Sequence, residues 1–201
     1  MNGAPVHIVD DDEAVRDALA FLLKGHGLVA MTYGSAEEFI TRATLQAAGV
    51  ILLDVRMGGM SGLELFDQLC AVHSRTPVIF LTGHADVPIA VGAIKSGAFD
   101  FLEKPCDDAA LVALVERALE ENDRRCKRAE VTLARRERLA SLSAREREVM
   151  DLIAQGAPNK TIAHQLDIAV RTVEVHRARV FEKMGVRTAA ELATLLATQE
   201  G

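Results

Sequence analysis

The chain has 201 residues, 49% of them hydrophobic and 26% charged, which is room for one large domain or two small ones and too apolar for intrinsic disorder. No apolar run nears the ~20 residues needed to cross a bilayer, residues 1–5 lack the basic-then-apolar pattern of a signal peptide, and Cys70, Cys106 and Cys126 are odd in number and widely spaced; a membrane protein, a disulfide framework and a zinc site are therefore disfavoured, and a cytoplasmic location is expected. The net charge of −6 is unevenly distributed: residues 1–122 hold 8 basic and 18 acidic side chains, a net of −10, and residues 123–201 hold 15 and 11, a net of +4, so a nucleic-acid partner would meet only the rear of the chain.

In chain order, short apolar runs alternate with amphipathic stretches. Residues 6–9 stop at Asp10, Asp11 and Asp12; residues 28–33 stop at Gly34-Ser35; residues 50–53 stop at Asp54. Residues 77–81 stop at Thr82-Gly83, and residues 98–102 at Glu103-Lys104-Pro105. Helix-like segments fall at about 13–25, 35–43, 62–72, 86–96 and 107–122. Five buried-type strands alternating with five helices predict an α/β fold, a doubly wound five-stranded parallel sheet, flavodoxin-like. Such sheets bind ligands at the carboxyl ends of their strands, so each polar cluster is delivered to one edge.

From about 111 to 140 the pattern stays helical, with Val112, Val115, Leu119, Asn122, Cys126, Ala129 and Leu133 at spacings of three and four. It fits a helix lying on its own domain, with a coiled-coil seam pinned by Asn122 as the other reading; residues 123–140 then form a helical linker. Beyond it the chain reads as a small all-α domain of four helices over 141–201. Ser143 and Glu146 make a capping box for a helix to about Gln155, and Gly156-Ala157-Pro158 breaks it. Helices follow at 159–166 and 170–184, with a turn at 167–169, and a last one at 188–198. Leu192, Leu195 and Leu196 of that last helix suit either a dimer surface or the bundle's own core.

The chemistry sits in two places. Carboxylates gathered at one sheet edge repel one another unless a cation joins them, and an oxygen-only set suits Mg²⁺. With Lys104 and the Thr82 hydroxyl at the same edge, the set can accept and hold a phosphoryl group. In residues 170–184, Val173, Val180 and Met184 form a core stripe, whereas Arg171, Glu174, Val175 and Ala178 share a face suited to base edges. Thr172, His176, Arg179 and Lys183 flank that face, and Asn159 and Lys160 open the preceding helix, where phosphates are expected. Two helices joined by a short turn, the second with Arg and Thr near its start, describe a helix-turn-helix, with a small helical bundle bearing a solvated basic face as the other reading.

Residues 1–122, through Asp10-Asp11, Asp54 in Leu-Leu-Asp-Val-Arg-Met, Thr82-Gly83 and Lys104-Pro105, resemble a response-regulator receiver domain. Residues 141–201, through Leu142-Ser-Ala-Arg-Glu-Arg-Glu-Val149, Asn159-Lys160-x-Ile162-Ala163 and Arg171-Thr-Val-Glu-Val-His-Arg177, resemble the LuxR-type helix-turn-helix. The whole, including Gly83-His84-x-Asp86-Val87-Pro88, is similar to the FixJ branch of the FixJ/NarL regulators. The resemblance implies Asp54 as phosphoacceptor, Asp10 and Asp11 as an acidic pocket with Mg²⁺ held by Asp11, Asp54 and the Arg56 carbonyl, and Thr82 and Lys104 on the phosphoryl group. It implies Phe101 as an aromatic switch and a cis peptide before Pro105. The partners it implies are a sensor histidine kinase, promoter DNA with two half-sites, a second copy of the chain after phosphorylation through the face spanning about 87–121, and RNA polymerase, as an activator. Gly58 stands where the family usually has proline, which predicts a looser loop beside Asp54, and Ala169 where it often has a capping Ser, at a cost of roughly 1 kcal/mol. Two rivals remain: a phosphate-independent DNA-binding protein with a vestigial receiver, and an aspartyl-phosphate hydrolase, which would want a second Asp where Arg56 stands.

Overall fold

The computed structural model describes residues 4–43, 49–83 and 87–197, side chains at 87–90 excepted, and the chain divides into two compact units between Arg128 and Ala129. In the first unit β1 (Val6–Val9), β2 (Ala30–Tyr33), β3 (Val50–Asp54), β4 (Val78–Thr82) and β5 (Asp100–Glu103) form one sheet, all parallel, in the order β2-β1-β3-β4-β5. The expected doubly wound sheet is therefore present. Helices α1 (Glu13–Gly25), α2 (Ala36–Arg42), α3 (Gly62–Ala71), α4 (Val87–Lys95) and α5 (Asp108–Ala140) alternate with the strands.

The central strands are apolar throughout because both sheet faces are covered. Val6, Ile8, Leu52, Ile79 and Leu81 pack with Leu19 and Leu23 of α1 and with Leu111, Val115 and Ala118 of α5. On the other face Val9, Ile51, Leu53 and Phe80 meet Phe39 of α2, Leu65 and Leu69 of α3 and Ala93 of α4. Each of the larger side chains, Val, Leu, Ile or Phe, contributes about 1.5–3 kcal/mol on leaving water. Helix starts are set locally. Asp12 accepts the Ala14 and Val15 amides at the head of α1, Ser35 caps α2, and Ser61 with Glu64 forms a capping box for α3. At Gly62 a Cβ would stand 2.0 Å from the Asp54 carbonyl oxygen, so α3 can begin against the end of β3 only with glycine there.

The fifth helix runs without a break from Asp108 to Ala140, across the linker expected at 123–140 and the division between units. Its start lies on its own domain: Val112 and Val115 are buried and Leu119 packs against the sheet core. Asn122 is buried with the Cys126 thiol 3.9 Å from its Oδ1, while Leu133, the last member of the proposed seam, is 58% exposed.

The second unit holds α6 (Ala144–Ala154), α7 (Asn159–Leu166), α8 (Val170–Met184) and α9 (Ala189–Ala197). Their core joins Val149, Ile153, Ile162, Val173, Val180, Met184 and Leu192, with Leu139 of α5 packed on it. Leu195 and Leu196 are half-buried and pack against the same core, the placement expected if they serve the bundle itself. The capping box at Ser143 and Glu146 forms as expected. Arg135 donates to the Leu196 carbonyl at 3.1 Å, and Arg138 to the Met184 carbonyl at 3.1 Å, so the end of α5 supplies donors to the last turns of α9 and α8.

Candidate functional site

Chain order and strand order diverge around β1, which has β2 on one side and β3 on the other. Asp10 follows β1, Asp54 ends β3, Thr82 ends β4 and Lys104 follows β5, so all four polar groups reach the carboxyl edge where such sheets bind ligands. The Lys104 Nζ donates to Asp10 Oδ2 and to Asp54 Oδ1, both at 2.6 Å. The Lys104-Pro105 peptide is cis, as the resemblance implied. The second oxygen of each carboxylate is also engaged: the Asp12 amide donates to Asp10 Oδ1 and the Arg56 amide to Asp54 Oδ2, both at 2.9 Å. Asp10 is 1% exposed and Asp54 8%, so the two charges depend on Lys104 for their balance.

Burial raises the Asp54 carboxyl above its ordinary value; the Lys104 hydrogen bond and charge oppose the shift, and the Asp10 charge adds to it. Burial would lower the Lys104 ammonium, but the bonds to Asp10 and Asp54 together outweigh it and hold the group above its ordinary value. Asp54 is thus a carboxylate kept ionised chiefly by one neighbouring cation.

Asp11 stands apart, exposed at the mouth of the edge, and its Oδ2 accepts the Gly58 amide at 2.9 Å. The Met60 amide donates to Glu37 Oε1 at 2.9 Å, and between them Gly59 takes φ +84. The loop where Gly58 predicts a looser segment is met from two sides, by carboxylates from the β1 end and from α2. Glu37 had no signal in the sequence, because its partner is a backbone amide 23 residues away.

Thr82 is fully buried, and its hydroxyl donates to the Leu102 carbonyl of β5 at 3.4 Å. Phe101 pairs with Phe80 across β4 and β5 and is half-buried against the α2–α4 side of the core. Residues on one strand alternate between faces, so Thr82, two beyond Phe80, shares that face with Phe101. His84 and Asp86 of the sequence motif lie outside the described residues. Among the described residues no three His, Cys, Asp or Glu side chains gather as a ready metal site.

In the second unit α7 ends at Asp167 in the left-handed region, and α8 starts at Val170 after Ala169, which offers no side-chain cap. Arg171, Thr172, Glu174, Ala178 and Arg179 are exposed, and Val175 is 47% exposed, while Val173, Val180 and Met184 are fully buried. The expected two faces of α8 are both present. Lys160 is exposed, and Asn159 accepts from the Arg177 guanidinium at 3.4 Å. His176 is half-covered, and its Nδ1 is buried with no hydrogen-bond partner. Arg177 also lies over the Phe181 ring, 5.1 Å from its centroid, so α7 and α8 are tied by a side chain that the sequence pattern did not single out.

Lys183 takes partners within its own unit. Its Nζ donates to Glu146 Oε2 at 2.6 Å and to the Ser141 carbonyl at 2.9 Å, and the buried Glu146 carboxyl is pulled down to about 2 by Lys183 first and the Ser143 amide second. The ammonium expected beside a phosphate is exposed and also has partners inside the unit, where it neutralises a buried carboxylate.

Comparison with known proteins agrees with this two-part anatomy. Residues 6–116 match the model of the response regulator receiver domain, and residues 140–196 match that of the bacterial regulatory proteins of the luxR family. The chain is 46% identical over 191 residues to the transcriptional regulatory protein FixJ of Azorhizobium caulinodans, covering 95% of this chain and 90% of that one. It is 49% identical over 192 residues to the C4-dicarboxylate transport transcriptional regulatory protein DctR of Rhodobacter capsulatus, covering 94% and 98%. Among solved structures, the response regulator StyR is similar with a TM-score of 0.92 at 38% identity, covering 98% of this chain and all of that one. Full-length FixJ from B. japonicum is similar with a TM-score of 0.60 at 40% identity, covering 98% and 97%. With its sheet-edge carboxylates, its helix-turn-helix and these relatives, the chain belongs to the FixJ-like two-component response regulators, transcriptional regulators that join a receiver domain to a LuxR-type DNA-binding domain.

Proposed function

We propose that Asp54 accepts a phosphoryl group from the phosphohistidine of a sensor kinase, and that this event promotes pairing of two copies and binding of two DNA half-sites to activate transcription through RNA polymerase. The observation that carries the reading is the Lys104 ammonium bridging Asp10 and Asp54 at 2.6 Å. In the transfer one Asp54 oxygen forms the new P–O bond as the P–N bond to the kinase histidine breaks, and the electron pair of that bond returns to the imidazole. Asp54 must be ionised to attack, which Lys104 secures against the burial that opposes it. Once the carboxylate carries the phosphoryl group, Lys104 stays on the new charge, and the Thr82 hydroxyl leaves the Leu102 carbonyl to donate to a phosphoryl oxygen. That withdrawal opens space on the face shared with Phe101, whose ring turns inward.

The donor chemistry suits Mg²⁺, which commonly takes only one or two carboxylates with carbonyls and waters. Asp11, Asp54 and the Arg56 carbonyl would hold it, while Asp10, the more deeply buried of the two carboxylates on Lys104, would remain with the ammonium. When bound, the ion neutralises charge on the transferring phosphoryl oxygens.

On the second unit, Arg171, Glu174, Val175 and Ala178 would meet base edges, and Lys160, Thr172, Arg179, Asn159 and His176 would meet or border phosphates. The test is DNA affinity and oligomeric mass at one fixed salt concentration, with and without beryllofluoride and Mg²⁺, in wild type and Asp54→Asn. Conversion of monomer to dimer with tighter DNA binding in wild type, and no response in Asp54→Asn, is expected. A dimer that binds DNA equally well in every sample would overturn the reading and favour a phosphate-independent factor.

A further inference from the structure

The loop after Asp54 is tied to Asp11 through the one group that every residue type except proline supplies, its amide hydrogen. The Gly58 N–H donates to Asp11 Oδ2 at 2.9 Å across 47 residues of chain. Asp11 is exposed, so without this bond its side chain would sample several rotamers. An oxygen that accepts one hydrogen bond keeps a second lone pair; the amide thus holds the carboxylate without closing it to a cation. Groups that hold a metal-ligating side chain from outside orient it and raise affinity.

We propose that the Gly58 amide is a positioning group for the divalent cation of this receiver, fixing Asp11 in the orientation it needs and coupling cation binding to the 58–60 loop. The inference rests on Asp11 and Asp54 as the cation ligands. Two details make position 58 suited to the task. Gly58 is not among the glycines with positive φ, so its backbone is open to other residues. A Cβ there would meet only Asp11 Oδ2, at 3.9 Å. The amide, not the absence of a side chain, is what the geometry uses. The other end of the loop has its own anchor, since the Met60 amide is held by Glu37 Oε1; loosening position 58 need not release the whole segment.

The experiment titrates Mg²⁺ alone into the full-length protein by calorimetry, comparing wild type, Gly58→Ala, Gly58→Pro and Asp11→Asn. Alanine keeps the amide and should keep the affinity; proline removes it and should weaken Mg²⁺ binding by about tenfold, the low end for an outer group, as suits an exposed ligand. Equal or tighter binding in Gly58→Pro than in Gly58→Ala overturns the inference. Because proline can disturb the loop in other ways, amide hydrogen exchange in wild type supplies an independent arm. Mg²⁺ should slow exchange at Gly58 more than at Met60, since coupling between two binding events is reciprocal; an unchanged Gly58 rate also overturns it. If Asp11→Asn binds Mg²⁺ as wild type does, it is the cation site itself that has been misassigned, a failure distinct from the other two.

Discussion

Replacing Lys104 by Met removes one charge and leaves two almost fully buried carboxylates facing each other. At an effective dielectric of about 20, each contact at this range is worth on the order of 6 kcal/mol before desolvation. Removing one partner of a buried pair costs about 3–5 kcal/mol once desolvation is included. The Lys104 side chain is 28% exposed, so water screens part of the interaction, and a loss of about 2–3 kcal/mol near neutral pH is expected. Asp54, already raised by burial, should rise further without the ammonium. The cost should therefore shrink as pH falls and the carboxyl takes up a proton, and Mg²⁺ should restore part of the stability. Urea unfolding followed by tyrosine fluorescence measures this in the intact chain, because the protein has no Trp and one Tyr, Tyr33, buried in the first unit. A variant as stable as wild type near pH 7, or a cost that grows in acid, would refute the electrostatic reasoning.

Other outcomes follow from the same geometry. His7 is buried against Tyr33 and Phe39, and burial lowers its imidazole below 6.5. Its neutral form belongs to the folded state, so stability is complete above 6.5 and is lost as pH falls through the folded value; His7→Leu should flatten that slope in tyrosine-detected unfolding. Glu146 is held down to about 2, so the stability it gives the second unit is present above 4.5 and disappears as pH drops toward 2. Far-UV circular dichroism should find Glu146→Gln less stable than wild type near neutrality, with the two converging in strong acid. Arg171→Ala should cost about 1–3 kcal/mol on a preferred operator and relax preference at one base pair, whereas Lys160→Ala should weaken all sequences alike and lower the salt slope by about 1; fluorescence anisotropy across a salt series separates the two.

The sheet and its edge were legible because each signal was local. A buried parallel strand is an apolar run that stops, and the stops at Asp10, Asp54, Thr82 and Lys104 each named a residue at the same edge. The faces of α8 were legible for the same reason, since the 3.6-residue period alone separates Val173, Val180 and Met184 from Arg171 and Val175. What escaped were contacts made by long side chains or by backbone across many residues. Lys183 reads as a free cation on its helix face until folding brings it to Glu146, 37 residues earlier. Gly58 was read through its missing side chain, whereas its amide is the group in use. Thr82 was assigned by position to the phosphoryl site, but its hydroxyl also has the Leu102 carbonyl within reach, and no sequence pattern tells which partner it takes.

The two arginines near the end of α5 bear on how this protein can be cut. The match to the luxR family begins at residue 140, yet the carbonyls at the ends of α8 and α9 find their donors at Arg138 and Arg135, and Leu139 packs on the same core. A fragment trimmed to the recognisable motif would keep every residue proposed to face DNA and still lack two donors that finish its helices and a leucine that packs on its core. Its boundary as a folding body lies upstream, and an expression fragment meant to behave as the native DNA-binding unit should begin at or before Ala129, where the compact unit itself begins.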